Sequence, residues 1–353
     1  MNKLHLSQQL RDLLQDGIVI PAHPLALNAQ RKIDEEKQRR LTRYYMASGA
    51  GGIAIGVHTT QFEIRDPKIN LYETVLQLAS EEIAKAKLHR PFLKVAGICG
   101  PTPQAIKEAE LACKFGYDMG LLSMGGLQDW TEEQILERVK IIANIIPLFG
   151  FYLQPAAGGR IFSYDFWRQF AEIENIEAIK VAAFNRFQTL DVMRAVINSS
   201  RRDSIAMYTG NDDNIIADLL TVYRFTVNEQ IIEKKFAGGL LGHWAVWTKK
   251  AVELLEEIKE YHKNKTEIKA ADLLSKGILV TDMNAALFDP SHGFHGCIAG
   301  IHEVLRRQGL LEGRWCLNPE EDLSVGQMEE INRVYKDYSE LTDDDFVKEF
   351  LKS

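Results

Sequence analysis

The sequence predicts an α/β fold, a (β/α)8 TIM barrel followed by a small C-terminal helical domain, and three observations carry that expectation. Short apolar runs alternate with longer amphipathic stretches, the pattern of βα units around a parallel sheet. Eight such runs occur, at 17–22, 52–57, 92–98, 119–123, 147–153, 178–182, 204–208 and 238–242. Beyond residue 260 no further strand pattern follows. The expected division is therefore a barrel over 1–260 with an N-terminal capping helix, and a helical domain over 261–353.

The helices between the runs are read from apolar periodicity and from their caps. An amphipathic segment at 4–14 is placed across the barrel's closed end. Asp34 precedes a Glu-rich first turn and starts a helix over 34–48. Thr131-Glu132-Glu133-Gln134 is a capping box opening 131–145. Helices over 71–88, 102–115, 165–173, 190–198 and 214–228 complete the alternation, and 269–276, 295–308 and 324–339 form the tail.

Composition narrows the function. The chain has 353 residues and a formal net charge of −7, without the basic patch that nucleic acid requires. Lys and Arg are interspersed with Glu along the helices, which reads as solvated faces. Cys99, Cys113, Cys297 and Cys316 form no C-x-x-C pair and no metal spacing, so reduced thiols and no metal are expected. No signal peptide is read at the start, and no apolar run reaches the roughly 18 residues of a membrane span. A cytoplasmic protein with a small-molecule substrate, and neither nucleic acid nor membrane as partner, is the expectation.

Lys180 stands inside the apolar run Glu177-Ala178-Ile179-Lys180-Val181-Ala182-Ala183. An interior lysine needs a partner or a task. Burial disfavours the ammonium form and leaves an amine able to attack a carbonyl carbon. A strand ending at Ile179, with Lys180 reaching water, accounts for the same letters.

Three other strand ends collect polar groups. Val57-His58-Thr59-Thr60-Gln61 follows the second strand, and paired threonine hydroxyls can bind a carboxylate, though a plain Thr-rich loop fits equally. Tyr152, in Phe151-Tyr152-Leu153-Gln154-Pro155, is either a proton-shuttling phenol or a structural aromatic at the rim. Tyr208-Thr209-Gly210-Asn211-Asp212-Asp213 ends the seventh strand, with a glycine that lets backbone approach a ligand and with helix-cap candidates beside it.

In this order the segments resemble the dihydrodipicolinate synthase / N-acetylneuraminate lyase superfamily of class I, Schiff-base aldolases. Matching stretches run over 17–255 and resume at Phe288-Asp289-Pro290, Gly309-Leu310-Leu311 and Leu323-Ser324. Ile179-Lys180 matches the family's Schiff-base lysine motif, and Tyr152 with Pro155 its Y-x-x-P, at the family's spacing of 28 residues. Thr59 and Thr60 match the threonines of its G-T-T-G-E loop, and Gly210-Asn211-Asp212 resembles its G-x-D. The resemblance implies catalysis by Lys180 and Tyr152, substrate binding by His58, Thr59, Thr60, Gly210 and Asn211, no cofactor, and a homo-oligomer, dimer or tetramer. It implies a lyase cleaving or condensing a 2-keto acid such as pyruvate. A dehydratase of 2-keto-3-deoxy sugar acids, or a barrel that binds such acids without turnover, stays open beside it.

The chain also departs from the family. His58-Thr59-Thr60-Gln61-Phe62 has lost both glycines, and Leu122-Ser123-Met124-Gly125-Gly126-Leu127 lacks the tyrosine of the family's proton relay. The synthase's carboxylate-binding arginine falls near Ala157, three residues from Arg160. His23 and His58 are the candidates to supply the missing acid/base group, and structural, hydrogen-bonded histidines are the alternative. Trp244 and Trp247 are read as packing rather than as a substrate platform.

Overall fold

Residues 176–182 are buried at every position, which is what a parallel strand covered by helices outside and by core inside requires. The computed structural model describes residues 4–264 and 267–352. Its strands are β1 (Val19–Pro21), β2 (Gly52–Ile55), β3 (Leu93–Ile98), β4 (Met119–Leu122), β5 (Leu148–Leu153), β6 (Ile176–Ala182), β7 (Ala206–Thr209), β8 (Val222–Val227) and β9 (Gln230–Leu241). The order β1-β9-β7-β6-β5-β4-β3-β2 is parallel throughout. β1 meets β2 through the Ala22–Ala54 bridge, with Gly51 N donating to Val19 O (3.0 Å) and His23 N to Ala54 O (2.8 Å). Eight of the nine strands thus make the expected barrel.

The ninth is a correction. The expected helix over 214–228 is only α8 (Ile215–Leu220), followed by β8, which pairs antiparallel with the first half of β9. Val222-Tyr223-Arg224-Phe225-Thr226-Val227 alternates apolar and polar residues and is rich in β-branched and aromatic types, a strand pattern. Asn228 and Glu229 both hold positive φ, 49° and 64°, as a two-residue hairpin turn demands. β9 then continues into the barrel, where Gly238 and Gly239 lie against β7 and β1.

The helices α1 (Gln8–Asp16), α2 (Glu35–Ala47), α3 (Tyr72–Ala86), α4 (Thr102–Lys114), α5 (Glu132–Ala143), α6 (Tyr164–Glu172) and α7 (Arg186–Ile197) follow their predicted segments, while α9 (Thr248–Asn264) is a further helix outside the expected ones. Asp34 accepts from Lys37 N, and the Thr131–Gln134 capping box is formed. α1 covers the bottom of the barrel, where the Tyr208 hydroxyl donates to Leu14 O (2.9 Å) and accepts from Ile18 N (3.2 Å).

The tail comprises α10 (Glu267–Phe288), α11 (Cys297–Arg307), α12 (Gln327–Asp337) and α13 (Asp344–Phe350). α10 is far longer than the expected 269–276. Asp343 ties the tail to the barrel helices, accepting from the Tyr44 hydroxyl (2.6 Å), Lys249 N (3.0 Å) and Gln308 Nε2 (2.8 Å). No helix among the described residues is long and apolar enough to cross a membrane.

One irregularity matters for the site. Leu148 pairs with Ile176, but Phe149 pairs with Ala178, so Glu177 is an extra residue in β6. Before the bulge Leu148 and Ile176 face the helices. After it Phe149, Phe151, Ala178 and Ala182 face the barrel interior. With a side-chain period of two, this single extra residue turns Lys180 inward.

Candidate active site

Lys180 lies opposite Phe151 on β5 and Tyr208 on β7, and its side chain enters the C-terminal mouth of the barrel. There it borders a cavity of about 150 Å³. Its ammonium lies 4.4 Å from the centroid of the Phe151 ring and makes no hydrogen bond among the described residues. Burial pulls its pKa from the usual lysine range down to about 8, against the opposing pull of the Asp212 carboxylate. A useful share of neutral amine therefore exists just above neutral pH.

Asp212, which follows β7, is the group that the sequence reading passed over. It lines the same cavity, and its Oδ1 accepts from His243 N (3.0 Å). Burial raises its pKa to about 7, while the His243 amide and Lys180 hold it down. A carboxyl that shares a pocket with an amine and titrates near neutrality can exchange protons with a ligand. Its signal lies in the Gly210-Asn211-Asp212 run, where the expectation fell on Gly210 and Asn211 and left Asp212 as a helix-cap candidate.

Gly210 has a steric task. A Cβ there would stand 2.4 Å from Lys180 Cε and 2.9 Å from the Ala182 Cβ. The lysine stem crosses the space that any larger residue would fill, so this position shapes the path of the amine.

On β2's side the 3₁₀ turn His58–Thr60 brings three expected residues to the rim, in different roles. The Thr59 hydroxyl is buried at the cavity without a hydrogen-bond partner among the described residues. The Thr60 hydroxyl is spent inside the protein: it donates to His23 O (2.7 Å) and accepts from Gly56 N (3.0 Å) and Val57 N (3.3 Å). His58 lines the cavity, and burial plus the nearby Lys180 charge push its pKa down to about 4. It is a neutral imidazole at working pH.

Several expected site residues lie elsewhere. Tyr152 does not reach the cavity: two residues before it Gly150 packs on Phe170, and Tyr152 shares that outward face. Its ring packs 5.2 Å from Trp167 and 6.3 Å from Phe162, with its buried hydroxyl facing the Phe162 backbone and no side-chain partner among the described residues. Period-two alternation is the cause, since Phe151 and Leu153 occupy the inward positions of β5. Asn211 is likewise diverted. Its amide accepts from Phe184 N (3.0 Å) and donates to Asp218 (2.8 Å), latching β7 to its neighbours. Arg160 donates to Trp130 O (2.7 Å) and Leu127 O (3.3 Å) and leaves no guanidinium in the cavity.

His23 is fully buried against Pro24 O and the Thr42 hydroxyl, and burial lowers its pKa to about 4. It is a structural histidine. Trp244 and Trp247 are buried in packing, as expected, with Trp247 5.6 Å from Tyr335. The tail supplies what the sequence did not reveal: Phe288, Phe294, Cys297 and Ile301 close the cavity from above.

An eight-stranded parallel barrel with an amine and a carboxyl at its C-terminal mouth is a TIM-barrel protein with its polar cluster where such folds carry chemistry. Among solved structures, it is similar to dihydrodipicolinate synthase from Oceanobacillus iheyensis (TM-score 0.72, 18% identity, 94% of this chain and 99% of that chain covered). It is similar to N-acetylneuraminate lyase from Fusobacterium nucleatum complexed with pyruvate (0.71, 16%, 93% and 99%). It also matches the dihydrodipicolinate synthase from Acinetobacter baumannii complexed with pyruvate (0.71, 19%, 91% and 98%). The fold is that of these enzymes over nearly the whole chain. No family model and no curated protein matches the sequence.

Proposed function

We propose that this chain is a Schiff-base lyase of the aldolase type, acting on a 2-keto acid with pyruvate as product or substrate. The carrying observation is the buried Lys180 amine in the mouth cavity, with its pKa down to about 8 and the Asp212 carboxyl beside it. Similarity to two enzymes solved with pyruvate supports the same substrate class.

In the cleavage direction, neutral Lys180 Nζ attacks the C2 carbonyl, and the carbinolamine loses water to give a protonated imine. The C4 hydroxyl then gives its proton to the Asp212 carboxylate while the C3–C4 bond breaks. Its electron pair flows into the imine, an aldehyde leaves and an enamine remains. Protonation at C3 and hydrolysis by water release pyruvate and restore the amine. Thr59 holds the C1 carboxylate and so fixes the carbonyl against the amine. Asp212 fills the role that the sequence reading gave to Tyr152.

The test is borohydride reduction in the presence of pyruvate, followed by mass spectrometry. The expected result is one reduced adduct on Lys180, absent from Lys180→Ala. No adduct on the wild-type protein overturns the proposal. A second reading, a barrel that binds keto acids without turnover, is favoured by the outward placement of Tyr152. In that case pyruvate is held and trapped, but no aldehyde is ever released from a 4-hydroxy-2-keto acid.

A further inference from the structure

The mouth cavity is lined by two chemically different sets of residues. Its charged, imidazole and hydroxyl groups, Lys180, Asp212, His58 and Thr59, belong to the ends of β2, β6 and β7, and the tail adds the Cys297 thiol. Most of the remaining lining is apolar, including Leu153 from β5, Phe184 from the loop after β6, and Phe288, Phe294 and Ile301 from the tail. With His58 neutral, no lining residue among the described ones beyond Lys180 and Asp212 carries a charge, and Gln154 is the one side-chain amide among them. A second carboxylate or a polyol chain would find no cation and few hydrogen bonds there, and its desolvation would go unrepaid.

A second observation is independent of the lining. Phe184 and Phe294 both hold a left-handed backbone, φ 48° and 68°, a conformation that bulky side chains rarely adopt. Their rings meet edge to face at 5.9 Å and 65°. Strain of this kind gathers at ligand clamps, where the surrounding structure holds it in place. Here it sets two aromatic rings from distant parts of the chain on one wall of the cavity. Asp289 maintains the tail's contribution, accepting from Gly296 N and the Ser324 hydroxyl while its carbonyl accepts from Phe294 N.

We infer that the aldehyde half of the substrate is uncharged and apolar, an aryl or branched alkyl aldehyde seated against Phe184, Phe294 and Ile301. This rests on the Schiff-base reading and names the substrate class of that site. In the condensation direction the enamine C3 attacks the aldehyde carbon and one C–C bond forms. The aldehyde oxygen takes the proton from Asp212, and hydrolysis frees a 4-hydroxy-2-keto acid with an apolar C4 substituent.

The experiment compares three 2-keto acids on the full chain: pyruvate, 2-oxo-4-phenylbutanoate with its apolar tail, and 2-oxoglutarate with a carboxylate tail. Calorimetry reads affinity, and borohydride with mass spectrometry reads imine formation separately. The expected result is at least tenfold tighter binding of the phenyl acid than of pyruvate, weaker binding of 2-oxoglutarate than of pyruvate, and a loss of about tenfold for the phenyl acid in Phe294→Ala. Equal affinities, or a preference for 2-oxoglutarate, overturn the inference even where pyruvate is trapped on Lys180. Failure to trap any of the three strikes the imine reading alone, because the calorimetric order still decides the character of the wall.

Discussion

β5 and β6 are neighbours with six paired positions, each bearing one polar residue that invites a catalytic role, and they treat those residues in opposite ways. Tyr152 goes out to Trp167 in the helix layer. Lys180 goes in to the mouth cavity. The difference is not one of polarity, since both side chains are almost fully buried. It is one of phase: β5 keeps a strict alternation from Leu148 onward, while β6 takes an extra residue at Glu177. A motif can therefore be intact in letters and spacing while one of its members points into a different compartment.

The sharpest way to break the comparison is at its inward member. Lys180→Ala is expected to abolish the borohydride adduct and lower kcat by about 10³-fold or more, since no other amine among the described residues lines the cavity. In the wild-type protein the rate of imine trapping should rise with pH through about 8, rather than near 10.5, because burial has already lowered the amine's pKa.

Asp212→Asn should reduce aldehyde release by about 10²–10⁴-fold, the usual worth of a positioned acid/base group. It should leave trapping possible. The sign of the pH effect is specific: Asp212 raises the pKa of Lys180, so losing its charge moves the alkaline limb of the trapping profile below 8. A limb that stays put or moves upward would remove Asp212 from the site.

Gly210→Ala tests the path of the lysine stem. The added methyl meets Lys180 Cε at 2.4 Å, so the amine must leave its position or the strand end must shift. The expected outcome is a fall of about 10²-fold in kcat/KM, with a stability loss of about 1–3 kcal/mol by chemical denaturation.

The outward member gives the smallest effect. Tyr152→Phe should leave kcat within about threefold of wild type, and stability nearly unchanged, since the lost hydroxyl has no side-chain partner among the described residues. A hundredfold loss of kcat would show that the phenol works in the site after all.

Most of the barrel was legible because each strand is a short apolar run and several helices announce their caps, as at Asp34 and Thr131. The hairpin β8–β9 was missed because its apolar residues were read at helical rather than twofold period. Within the site, Lys180 was legible as an interior lysine, and Gly210 as a position of close approach. The facing of Tyr152 was not, because both faces of β5 are apolar and nothing in Leu148-Phe149-Gly150-Phe151-Tyr152-Leu153 tells inside from outside. The partners of Thr60 and Asn211 were equally hidden, since a hydroxyl or amide reads the same whether it meets ligand or backbone. The tail's apolar share of the cavity was invisible for another reason: Phe294 and Ile301 meet the mouth only through tertiary packing.

The bulge residue Glu177 pairs with Arg11 of the capping helix at 3.0 Å, at the end of the barrel away from the cavity. The orientation of the amine is thus written about 10 Å upstream of it, three residues along the strand. The loops and helices at the mouth can change in length and chemistry while the lysine keeps its aim. A scaffold arranged in this way separates inheritance of a reaction from acquisition of new substrates, and the rewritten rim of this chain is the side on which such divergence would accumulate.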